Sequence, residues 1–73
     1  MKTSRNDNVA ISTVAVPYFL AWYRHGEYET AISIDHSFWM IAKGYDTLED
    51  AIKGHARFSS MTKEELMNYK YID

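Results

Sequence analysis

Tyr28-Glu29-Thr30-Ala31-Ile32-Ser33-Ile34 leads through Asp35-His36-Ser37 into Phe38-Trp39-Met40-Ile41-Ala42. Gly44-Tyr45-Asp46-Thr47-Leu48-Glu49-Asp50-Ala51-Ile52-Lys53-Gly54-His55-Ala56-Arg57-Phe58 follows. Within this stretch the apolar period changes from two residues to between three and four. In the first segment Tyr28, Thr30, Ile32 and Ile34 share one face while Glu29, Ala31 and Ser33 share the other, the pattern of a strand with one packed and one wet side. Asp35-His36-Ser37 supplies a turn, and Phe38 to Ala42 reads as the next strand, ended by Gly44. From Leu48 onward Leu48, Ala51, Ile52, His55 and Phe58 follow helical spacing, and Asp46 or Thr47 is placed to cap the first amides. Gly54 inside that helix costs about 1 kcal/mol relative to alanine, so it points to close packing on the sheet or to an early helix end.

Outward from this unit, Met1 to Asn8 is polar and aperiodic and reads as a disordered leader, with residues 9–73 forming a single small domain. Val9 to Val16 is rich in β-branched residues, and Pro17 after it removes a ladder donor, so an edge strand is expected there. Tyr18 to Tyr23 reads as a further strand, joined to Tyr28–Ile34 by a hairpin at His25-Gly26. Toward the other end, Thr62 with Glu65 forms a capping-box pattern, and Met61 with Leu66 a hydrophobic staple, at the start of a short helix. The expected fold class is α+β: an antiparallel sheet of three to four strands, a helix over Leu48–Arg57 packed across one face, and a short C-terminal helix.

Seventy-three residues suffice for one domain and leave little room for a buried cleft between lobes. The chain has no cysteine, which excludes disulfides, thiolate metal sites and cysteine nucleophiles and suits a reducing compartment. The longest apolar run, Val14 to Tyr23, contains Pro17 and falls well short of the ~20 residues a membrane helix needs. Charge is uneven: residues 1–26 carry a net +2 and the remainder −4. A mildly acidic body without a basic stripe argues against binding to a nucleic-acid backbone.

Candidate chemistry is sparse. His25 and His36 sit in turns at opposite ends of one strand, ~25 to 35 Å apart at ~3.3 Å per residue, too far to share a metal ion. His55 lies on the apolar stripe of its helix, where a structural hydrogen bond, to a backbone carbonyl or to a carboxylate such as Glu29, is expected ahead of a catalytic role. No nucleophile motif or glycine-rich phosphate loop is present, and Glu27 with Glu29 reads as a solvated edge. No catalytic residue, metal or cofactor is assigned. The aromatic load is the remaining clue. Tyr18, Trp22, Tyr23, Trp39, Tyr69 and Tyr71 are the candidates for an interaction surface, since Tyr and Trp anchor binding surfaces. Arg24, Lys43 and Arg57 are the candidates for holding a small ligand, such as a nucleotide signal, stacked on Trp22 or Trp39.

Glu29-Thr30 in a strand, an aromatic and aliphatic strand after it, Tyr45-Asp46-Thr47-Leu48-Glu49-Asp50-Ala51, and then Gly54-His55 together resemble a group of small bacteriophage proteins of unknown function. The resemblance covers roughly residues 28 to 58. The chain departs from it at Ala31-Ile32-Ser33-Ile34, where a Met-Val-Phe-like run is common. The resemblance implies phage origin and the cytoplasm of the infected cell, and supplies no catalytic residue. With the aromatic load it leads to an expected function as a nonenzymatic accessory protein. Such a protein would act by protein–protein interaction, as a homo-oligomer, inhibiting a host or anti-phage defence factor. The alternative is a module that sequesters a small ligand.

Overall fold

A computed structural model describes residues 2–17 and 26–72. Four strands, β1 (Lys2–Asn6), β2 (Val9–Ala15), β3 (Tyr28–Ile34) and β4 (Met40–Tyr45), are followed by helices α1 (Leu48–Ser59) and α2 (Lys63–Met67). The strands form one antiparallel sheet in the order β1-β2-β3-β4. The fold is α+β, an antiparallel sheet with one packed helix and a short C-terminal helix.

The polar leader is not disordered: residues 2–6 are the edge strand, paired from Lys2 opposite Thr13 to Asn6 opposite Val9. Ladder hydrogen bonds use backbone groups, so a strand with one edge in water needs no apolar pattern. The deciding signal is Asp7-Asn8, whose φ angles of 55° and 62° are those of a two-residue hairpin turn that Asp and Asn tolerate. β2 consequently lies inside the sheet and not at its edge. Pro17 falls beyond the strand, and the last bond of that pairing runs from the Val16 amide to the Glu27 carbonyl, 2.9 Å. The strand and hairpin expected over Tyr18 to His25 lie outside the described residues; β3 has β2 and β4 as its neighbours.

β4 begins two residues later than expected, at Met40, and runs through Gly44 to Tyr45. Asp35 and His36 make a second turn with φ of 53° and 62°, and Ser37 to Trp39 bridge from it to the strand. A register shift opposite Thr30 and Ala31 leaves Ala42 as the extra residue of β4, a bulge. Gly26, with φ of 126°, passes the Tyr45 carbonyl so closely that a Cβ there would lie 2.5 Å from the oxygen. Only glycine fits at low cost.

Thr47 caps α1 by accepting from the Asp50 amide at 3.1 Å, with Glu49 and Asp50 in the first turn and Arg57 in the last, each placed to suit the helix dipole. The helix continues to Ser59. Its buried stripe is Ala51, Gly54, His55 and Phe58, while Leu48 and Ile52 are exposed. The apolar spacing was correct in period but centred too far toward Ile52, because Gly54 counts as packing surface. A Cβ on Gly54 would fall on the phenol ring of Tyr45.

α2 carries the full capping box: Glu65 N–H donates to Thr62 Oγ1 at 3.1 Å and Thr62 N–H to Glu65 Oε1 at 2.8 Å. Leu66 is buried in the cluster of Val9, Ile11, Ile32, Ala42 and Phe58, with Met61 packed against it. Five residues of helix are too few to stand alone, and tertiary contacts hold them. Lys63 pairs with Asp35 at 2.6 Å, and the Ile72 amide donates to the Ile41 carbonyl at 2.8 Å. No described helix is long and apolar enough to cross a membrane.

Replacing Gly54 with alanine tests the contact with Tyr45. Helix propensity alone would raise stability by up to about 1 kcal/mol, but overpacking against a buried ring costs about 1–3 kcal/mol. The expected outcome is a lower urea midpoint for Gly54→Ala.

Candidate functional site

Two regions concentrate chemistry: a buried polar chain between α1 and the sheet, and the surface at the turn end of the opposite face. The first begins with alternation along the strands. Thr13 on β2 and Thr30 on β3 are directly opposite each other and both face α1, exposed by only 1% and 0%. Their hydroxyl oxygens are 2.6 Å apart. Thr13 Oγ1 lies 2.7 Å from His55 Nδ1, and Thr30 Oγ1 lies 3.1 Å from the Tyr45 hydroxyl.

Proton counting favours one direction along this chain. If Tyr45 donates to Thr30, Thr30 to Thr13 and Thr13 to His55 Nδ1, every hydroxyl proton is used and the best acceptor, an imidazole nitrogen, ends the series. The opposite direction makes the phenol an acceptor and requires it to donate elsewhere. Among the described residues no buried side-chain nitrogen or oxygen lacks a hydrogen-bond partner. His55 is thus tied to Thr13, a hydroxyl and not a carboxylate. Glu29, expected as its partner, neighbours Thr30 in an extended strand and so projects to the other face. It lies opposite Val14 and Gly44.

The sheet face away from α1 is built differently. Arg5, Ala10 and Ser33 stand in one row across β1, β2 and β3. Ala10 and Ser33 are buried, and Ser33 Oγ donates to the Ser37 carbonyl. These small side chains floor a cleft of about 440 Å³ whose walls include Arg5, Asp7, Asn8, His36 and Trp39. The rim is fixed by the Asp35 amide, which donates to the Asn8 carbonyl at 2.8 Å and joins the two turns. Beside it Phe38 is 79% exposed and Trp39 47%.

The expected site residues are distributed as follows. Trp39 is at the surface. Tyr69 and Tyr71 are partly buried and pack against the core: the Tyr69 ring meets Phe58 edge-on at 5.1 Å, and its hydroxyl donates to the Ala42 carbonyl at 3.3 Å. Tyr71 packs on Tyr69 and donates to the Leu66 carbonyl at 2.5 Å. Both close the C-terminal segment over the core. Tyr18, Trp22, Tyr23 and Arg24 lie outside the described residues. Lys43 and Arg57 do come together, with Lys53, in a cleft of about 420 Å³ beside Tyr45 and Gly54, but Trp39 lines the other cleft. Phe38, Arg5 and His36, which stand at or beside the first cleft, were not among the expected site residues. The turn geometry of Asp35-His36 was the available signal, since it halts the pairing and leaves Phe38 outside the strand. Among the described residues no group of three or more His, Asp or Glu side chains is arranged to hold a metal ion.

Burial raises the pKa values of Tyr45 and Tyr71 above the ordinary 10.0. The folded chain therefore holds these phenol protons more tightly than the unfolded one. The contribution of these two phenols to stability is level below pH 10 and falls as pH rises past that value toward the folded pKa values. Thermal melts should show this decline above pH 10, with a shallower one in Tyr71→Phe. For the polar chain, Thr13→Val keeps the shape but removes the central hydroxyl, leaving Thr30 and His55 short of a partner. Urea unfolding should show a loss of about 1–3 kcal/mol, whereas Thr13→Ser should retain most of the stability. No family model matches the chain, and comparison with curated proteins and with solved structures returns no match either.

Proposed function

We propose that the chain is a nonenzymatic bacteriophage accessory protein that acts in the host cytoplasm by protein–protein interaction, inhibiting a host or anti-phage defence factor. The observation that carries this reading is Phe38 beside Trp39, two large aromatic side chains held at the surface in consecutive positions. Such residues bury large areas at little entropic cost and dominate binding interfaces. Their segment is held before any partner arrives: the Ser37 amide donates to the Ile34 carbonyl at 3.0 Å, and Lys63 anchors Asp35. A held loop loses less entropy on binding than a mobile one. The polar chain around His55 supports the nonenzymatic part, because its members are buried and engaged with one another. Self-association belongs to the same reading. Its support is the outer side of β1, which has no neighbouring strand among the described residues.

Affinity purification from phage-infected cells tests the proposal when wild type, Phe38→Ala and Ile52→Ala are compared. The expected result is a defined host protein retained by wild type and Ile52→Ala and lost with Phe38→Ala. Light scattering on the pure chain reports self-association. A strictly monomeric chain whose retained proteins are identical for wild type and Phe38→Ala overturns the reading.

A further inference from the structure

The cleft floored by Ala10 and Ser33 is separate from Phe38, which does not line it, and its composition suits a small molecule. Its volume of about 440 Å³ falls within the range of about 300–1,000 Å³ typical of ligand sites. It is lined by one indole, Trp39; one guanidinium, Arg5; one carboxylate, Asp7, which also borders the neighbouring cleft at Lys63; and the polar residues Asn8, Ser33 and His36. Both turns that supply the rim are set by positive φ at Asp7, Asn8, Asp35 and His36 and are joined by a hydrogen bond.

We propose that this cleft binds a guanine nucleotide, the base against Trp39 and the phosphate on Arg5. The cleft goes beyond the protein-binding reading and does not depend on it. An indole face accepts any flat π system, and a guanidinium offers paired N–H donors that match phosphate oxygens. Asp7 narrows the choice. A carboxylate in the cleft repels a compact polyanion such as pyrophosphate, but it complements a base edge that carries two adjacent N–H donors. Guanine, with N1–H and its exocyclic amine side by side, presents that edge; adenine and cytosine offer only the amine. The small floor residues admit a flat ring to the sheet, where longer side chains in the same row would fill the space.

Nuclear magnetic resonance of the ¹⁵N-labelled full chain provides the test, with guanosine monophosphate, guanosine, adenosine monophosphate and inorganic phosphate as separate titrants. Guanosine monophosphate should give saturable shifts confined to amides near residues 5–10 and 33–39. Arg5→Gln should weaken it by tenfold or more while leaving guanosine unchanged, and Asp7→Asn should erase its preference over adenosine monophosphate. Trp39→Ala should abolish nucleotide binding and Trp39→Phe should retain it; a dispersed spectrum establishes that each variant is folded. Phe38→Ala should bind the nucleotide like wild type, which separates nucleotide binding from the Phe38 part of the protein-binding surface, with Trp39 shared by both. Shifts elsewhere, no saturable response to guanosine monophosphate, full affinity in Arg5→Gln, or equal Arg5-dependent binding of inorganic phosphate alone would each overturn the assignment.

Discussion

The close approach of α1 to Tyr45 is the constraint on which the helical side of the molecule depends. At Gly54 the helix backbone meets the phenol ring with no space for a methyl group. That contact sets the height of the helix above the sheet, and the neighbouring residue, His55, comes within 2.7 Å of Thr13. From there the hydroxyls of Thr13 and Thr30 and the phenol of Tyr45 carry hydrogen bonding across β2, β3 and β4. A larger residue at 54 would lift the helix and stretch this chain. Steric fit and polar satisfaction are therefore one requirement, and each side chain in it is buried. Buried polar groups are costly when one partner is lost, so this small core tolerates little change at these four positions.

The opposite face follows another rule. Small and polar side chains occupy it in rows: Arg5, Ala10 and Ser33 in one, Thr3, Ser12 and Ala31 in the next. Among the described residues, Phe38 and Trp39 lie in the segment between the β3 turn and β4, where pairing has been interrupted. Two turns built from Asp and Asn or Asp and His, joined by one backbone hydrogen bond, give that end of the sheet a defined shape. Among the described residues the buried apolar cluster and the polar chain thus lie on the α1 side of the sheet, while the Arg5 and Trp39 cleft lies at one end of the other.

Local features with short-range causes were legible. Thr62 and Glu65 form the capping box that their spacing implies, Thr47 caps α1, and Tyr28–Ile34 alternates as a strand with Thr30 and Ile32 inward. Gly54 signalled close packing, although its contact, Tyr45, was not identifiable. Features that depend on pairing were misread. The leader's polar composition concealed a strand because β1 contributes backbone groups and its turn, not apolar side chains. The packing of Tyr69 and Tyr71 on Phe58, Ala42 and Leu66 was not legible either, because nothing near them in the chain shows that these residues would receive them.

The sequence by itself determined the fold class, the helix starts and the presence of one histidine on an apolar helical stripe, since these follow from periodicity and capping within a few residues. Only the tertiary structure decided that His55 answers to Thr13 and not to Glu29, because strand register and the depth of α1 set that distance. It likewise brought Arg5 and Trp39 to one cleft from opposite ends of the sheet order. The physical reason is the same in both cases: a side chain's partner is chosen by backbone hydrogen bonds between strands far apart in the chain, and no local pattern encodes their register.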